Sequence, residues 1–124
     1  GNIPGVNHTI GVSMGDPNAQ YAFGTYMQLI KSTSGALTFT RVAVEVKSDP
    51  DTELDCNLYF ADTFQGKANQ TLIRALDTTA GLLDVTTGFN DATVPSGKAV
   101  YIGFDAEPAS GTPQTLFELV YDFD

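Results

Sequence analysis

The sequence predicts an all-β protein, an antiparallel β-sandwich of jelly-roll type with about eight strands. Three observations carry that prediction. Apolar residues recur two apart in one run after another, which marks strands with one buried face. Gly, Pro, Asp and Asn gather between the runs, at spacings of roughly 10–15 residues. No segment sustains a helical apolar period.

Residues 1–8 carry Gly, Asn and Pro and predict an irregular N-terminal arm; residues 9–124 form a single sandwich domain. From Thr9 to Met14, Ile10, Val12 and Met14 alternate with polar or small residues, and Gly15-Asp16-Pro17-Asn18 is a turn signal. The stretch Tyr21 to Lys31 has Phe23, Met27 and Leu29 in one phase and Tyr26 and Ile30 in the other. Apolar side chains on both faces predict a strand that is central or at an interface.

The stretch from Ala36 to Phe60 organises the chain. Leu37 and Phe39 fall on odd positions, whereas Val42, Val44 and Val46 fall on even ones. A regular strand cannot turn both sets to one side. The reading adopted is a β-bulge near Thr40 and Arg41; the alternative is that Leu37 and Phe39 are covered by something else. After the polar turn 48–53, Leu54, Cys56, Leu58 and Phe60 alternate with Asp55, Asn57 and Tyr59. The two runs around this turn predict a pair of antiparallel strands. Further strands are expected over Gln70–Leu76, Leu82–Thr87, Lys98–Asp105 and Thr115–Phe123, the last with Phe117, Leu119, Tyr121 and Phe123 on one face.

The chain has 124 residues, 15 of them acidic and 6 basic, for a formal net charge of −9. The six cations, Lys31, Arg41, Lys47, Lys67, Arg74 and Lys98, are scattered. Phosphate binding needs clustered Lys and Arg, so nucleic acid is excluded as a partner, and so is an anionic membrane surface. No run approaches the roughly 20 apolar residues of a membrane span, so no membrane insertion is expected. The one cysteine, Cys56, is in phase with Leu54, Leu58 and Phe60, which places it in the core as a small hydrophobe.

No catalytic constellation stands out, and the protein is read as a non-enzyme. The only histidine, His8, lies in the arm, and there is no nucleophile elbow, zinc motif or phosphate loop. The acidic turn offers Asp49, Asp51 and Glu53 as candidate calcium ligands, because calcium takes six to eight oxygens. A solvated turn explains the same residues. No other cofactor is expected. Tyr59 and Tyr101 oppose the predicted buried face. With Asn57 beside it, Tyr59 is a candidate sugar platform; cover by a loop or a neighbouring subunit is the other reading.

The stretches Ala36 to Val46, Val94-Pro-Ser-Gly-Lys-Ala-Val-Tyr-Ile-Gly-Phe-Asp105 and Thr115 to Phe123 resemble β-sandwich modules of tailed-bacteriophage virion proteins. Such modules occur in tail fibres, receptor-binding tips, head fibres and capsid decoration proteins. The resemblance is one of pattern over most of the chain. It implies a non-enzymatic protein of the virion surface that self-associates, often as a trimer, and docks on other virion proteins or attaches to a host. A complete small chain would favour decoration and a fragment a fibre tip. The apolar residues off the main phase, Leu37, Phe39 and Tyr26, together with Tyr59, Tyr101 and Asn57, are the predicted interface residues. The alternative is a carbohydrate-binding module with a tyrosine platform and structural calcium, recognising a cell-surface glycan.

Overall fold

A computed structural model describes residues 8–14, 26–46, 56–63, 69–76, 81–104 and 115–124. These residues form nine strands and no helix: β1 His8–Met14, β2 Tyr26–Ile30, β3 Leu37–Val46, β4 Cys56–Ala61, β5 Thr71–Ala75, β6 Gly81–Val85, β7 Thr93–Val94, β8 Ala99–Phe104 and β9 Thr115–Phe123. One sheet runs β1-β9-β3-β6, with the two-residue β7 paired to the start of β3; the other runs β2-β8-β4-β5. All pairs are antiparallel. The pairs β1:β9, β2:β8, β3:β6 and β4:β5 are nested along the chain, an order compatible with the jelly-roll type.

The two sheets close on one core. The first contributes Leu37, Phe39, Val42, Val44, Phe117 and Leu119; the second contributes Cys56, Leu58, Phe60, Ile73, Val100 and Ile102. These side chains alternate with outward ones along each strand, as two sheets packed face to face require. Cys56 lies at 0 % exposure, with its thiol 3.5 Å from the carbonyl of Leu76 as donor. It is the small core residue that its phase predicts.

The phase change inside β3 is a bulge. Phe39 faces Tyr121 and Arg41 faces Val120, so Thr40 is one residue more than β9 supplies. Its hydroxyl donates to the Val120 carbonyl at 3.3 Å. The extra residue turns Leu37 and Phe39 to the same side as Val42 and Val44, and all four are buried at 2 % exposure or less. A second register shift, between Gln28 and Ile30 of β2, brings Ile30 opposite Val100. Ile30, expected on the face away from Met27, therefore packs on the core together with it. A third shift lies in the β4:β5 ladder, between Leu58 and Tyr59. It accompanies the complete burial of both Ile73 and Leu76, which regular alternation would separate from Leu72 and Ala75 in a different way.

The expected antiparallel pairing across the acidic turn does not occur. β3 pairs with β9, β6 and β7, whereas β4 lies in the other sheet between β8 and β5. Both strands are buried centre strands, so each needs two partners, and a direct hairpin would leave the chain between them no way to cross the sandwich. The strand β7 falls in a stretch expected to be loop. There Val94 is fully buried opposite Leu37.

Two clasps hold the loops at the rim. Buried Thr33 donates through its hydroxyl to the Pro95 carbonyl at 2.9 Å and accepts from the Lys98 amide at 3.2 Å; its backbone also bonds to Lys98 and Gly97. Arg74 donates from Nε to the Thr87 carbonyl at 2.8 Å and from Nη1 to the Ala75 carbonyl at 2.6 Å. The next residue, Gly88, has φ +79° and leaves room for that guanidinium: a Cβ there would stand 2.8 Å from Arg74 Nη2.

Deleting Thr40 tests the bulge. Without it one pair, Leu37/Phe39 or Val42/Val44, must leave the core, at about 1.5–3 kcal/mol per side chain. That approaches the whole stability of a typical domain. The expected outcome is loss of the cooperative urea transition followed by circular dichroism. A wild-type midpoint would show that the phase change is not what buries both sets.

Candidate functional site

The structure separates the predicted site residues. Leu37 and Phe39, expected at an interface, are core residues of this subunit at 1 % and 2 % exposure. The Thr40 bulge and the opposing strand β9 enclose them, so they leave no apolar surplus for a partner. Tyr26 stands in β2 opposite Gly103. Asn57, Tyr59 and Tyr101 do share the outward face of the β2-β8-β4-β5 sheet, since their neighbours Cys56, Leu58, Val100 and Ile102 point inward. Tyr59 lies directly opposite Tyr101, ring centroids 5.6 Å apart and planes tilted by 33°. Tyr101, however, is at 0 % exposure. Its ring is not open to a sugar, and the candidate platform is a half-buried Tyr59 beside a half-buried Asn57. The candidate calcium ligands Asp49, Asp51 and Glu53 lie outside the described residues. Among the described residues no group of three or more His, Cys, Asp or Glu could hold a metal ion.

A second surface that the ladders define is the outward face of the β1-β9-β3-β6 sheet. Register places its residues in rows across the strands. Ser13, Leu116, Glu45 and Leu82 form one row; Gly11, Glu118, Ala43 and Asp84 form the next; Thr9, Val120 and Arg41 form the third. Leu82 is 64 % exposed and Leu116 43 %. Ala43, Gly11 and Ser13 are too short to raise a ridge, so the face is flat. At its centre Arg41 donates from Nε and Nη2 to both oxygens of Asp84, at 2.8 and 2.7 Å, and its Nη1 lies 3.7 Å from Glu118. The fork geometry is the strong form of a carboxylate pair, although both partners are solvent-exposed. The arrangement holds no activated nucleophile; what it can do is bind.

Sequence reasoning missed this face. The signal was present: Leu116 precedes Phe117 and Leu82 precedes Leu83, so each leucine is out of phase with its strand's buried set. Attention went to Leu37 and Phe39, whose off-phase position the bulge corrects, whereas nothing corrects Leu82 or Leu116.

No family model matches the chain, and no curated protein matches it in sequence. Solved structures do resemble it. A chain of the capsid of Ralstonia phage GP4 superimposes with a TM-score of 0.62 at 12 % identity, covering 95 % of this chain and 84 % of that one. A chain of the acidic-stable capsid of Helicobacter pylori bacteriophage KHP30 gives 0.60 at 17 % identity, covering 95 % and 88 %. The N-terminal cellulose-binding domain of a Cellulomonas fimi β-1,4-glucanase C gives 0.49 at 14 % identity, covering 94 % and 78 %. At these identities the likeness is one of fold, and it agrees with the β-sandwich module that the sequence pattern resembles.

Electrostatics tie this face to pH. The hydrogen bonds from Arg41 hold the Asp84 carboxyl below the usual carboxylate range, with Coulomb attraction adding and desolvation opposing. On the other sheet's rim, hydrogen bonds from Lys98 and Asn69 lower Asp62 in the same way. A carboxyl whose folded value is depressed binds fewer protons folded than unfolded. Its contribution is therefore complete above the ordinary Asp range, near pH 4, and is lost as pH falls through the depressed value. The expected outcome for Asp84→Asn is a melting temperature below wild type at neutral pH, with the gap closing as pH falls below about 4. Parallel melting curves for the two proteins over that range would contradict this account.

Proposed function

We propose that the chain is a structural protein of a bacteriophage particle, working at the particle surface by docking on other virion proteins and not by catalysis. One observation supports this above the others. The likeness to two phage capsid chains is not a shared fragment: it takes in 95 % of this chain and 84 % or 88 % of theirs. Both of these neighbours come from capsids, which favours a capsid decoration role over a fibre tip. A flat, open sheet face without catalytic groups suits that role. The test is sedimentation of particles from the source lysate through a density gradient, with copies of the chain counted per particle by quantitative mass spectrometry. Tens of copies per particle are expected, on the order of a surface lattice of repeated subunits. Absence of the chain from purified particles would overturn the proposal.

The alternative, a carbohydrate-binding module, has one specific observation in its favour: Tyr59 and Asn57 lie together on an outward sheet face. An insoluble-polysaccharide pull-down separates the readings. The virion reading expects no retention on cellulose, xylan or chitin. Retention that Tyr59→Ala lowers by about tenfold, the worth of one stacked aromatic, would install the alternative.

A further inference from the structure

Leu82 and Leu116 are two of the three large apolar side chains that stand exposed among the described residues. The ladders set both on one face, in one row, with Glu45 between them. At the usual strand spacing they are about 10 Å apart. Small residues, Gly11, Ser13 and Ala43, keep the ground around them level. The charge is one-sided: among the described residues Arg41 is the only cation on this face, and it is shared by two carboxylates, Asp84 and Glu118.

We propose that this face docks flat on a partner protein whose surface offers apolar ground to Leu82 and Leu116 and a border of Lys or Arg side chains to Asp84 and Glu118. The proposal rests on the virion reading and names the surface that serves it. Charge selects the partner. A second copy would bring the same acidic excess, from a chain of net charge −9, within a Debye length of about 10 Å, where screening is incomplete. Size points the same way. Four strands span about 14 Å across, and the three rows run about 14 Å along them, roughly 200 Å². A stable pair of proteins buries about 800 Å² on each side. A contact of this area alone is too small to hold a stable dimer in solution.

The same particle count tests it, using the full chain and variants whose fold is checked by circular dichroism. The double variant Leu82→Ser/Leu116→Ser is expected to lower copies per particle about tenfold or more, and Glu118→Lys to lower them and weaken their release by salt. Should the double variant fold poorly, Leu82→Ser alone, at the more exposed position, serves in its place. Wild-type protein on particles with both variants undiminished would overturn the docking face while leaving the virion reading intact. Wild-type protein absent from particles would overturn both. Light scattering decides about the occupant: a wild-type dimer at micromolar concentration that the double variant makes monomeric would mean that a second copy covers this face.

Discussion

The antiparallel ladder between β3 and β9, with the extra residue Thr40 set into it, is the constraint on which the other strands depend. It joins the two longest strands and lies between β1 on one side and β6 and β7 on the other. On its inner side it presents Leu37, Phe39, Val42, Val44, Phe117 and Leu119 to the opposite sheet. On its outer side the same registration aligns Leu116 with Glu45 and Glu118 with Ala43. A slip of one residue would exchange the two faces, so the core and the outer face with Leu82 and Leu116 are specified together. The aromatic group at its end, with Tyr121 packed against Phe39, Phe123 and His8, extends the inner face to the rim and secures β1.

Much of the fold was legible because burial imposes a period on the sequence. The last strand is found where its alternation predicts it, and the bulge is found where the phase of β3 changes. Strand partners were not legible. Each of β3 and β4 carries a good one-sided pattern, but a pattern says which face is buried and not which chain lies alongside. The turn between them suggested a hairpin because local signals carry no information about crossing from one sheet to the other. β7 escaped notice because two residues are too few to show any period.

The site was less legible than the fold, for a related reason. An off-phase apolar residue has two meanings, a register correction or an exposed side chain, and sequence alone does not separate them. Leu37 and Phe39 take the first meaning, Leu82 and Leu116 the second. Only the neighbouring strand decides, since it shows whether a residue has been skipped. Tyr101 teaches a similar lesson. It opposes the core face as its phase predicts, yet it is enclosed, with the half-buried Tyr59 ring 5.6 Å away.

The enclosure of Cys56 has a practical meaning. It is the sole thiol in the chain and no solvent reaches it in the native sandwich. Oxidants and thiol reagents therefore meet it only when β4 and the segment at Leu76 come apart, so its reactivity measures how often this part of the sandwich opens. Copies of the chain cannot be tied to one another through sulfur without first unfolding.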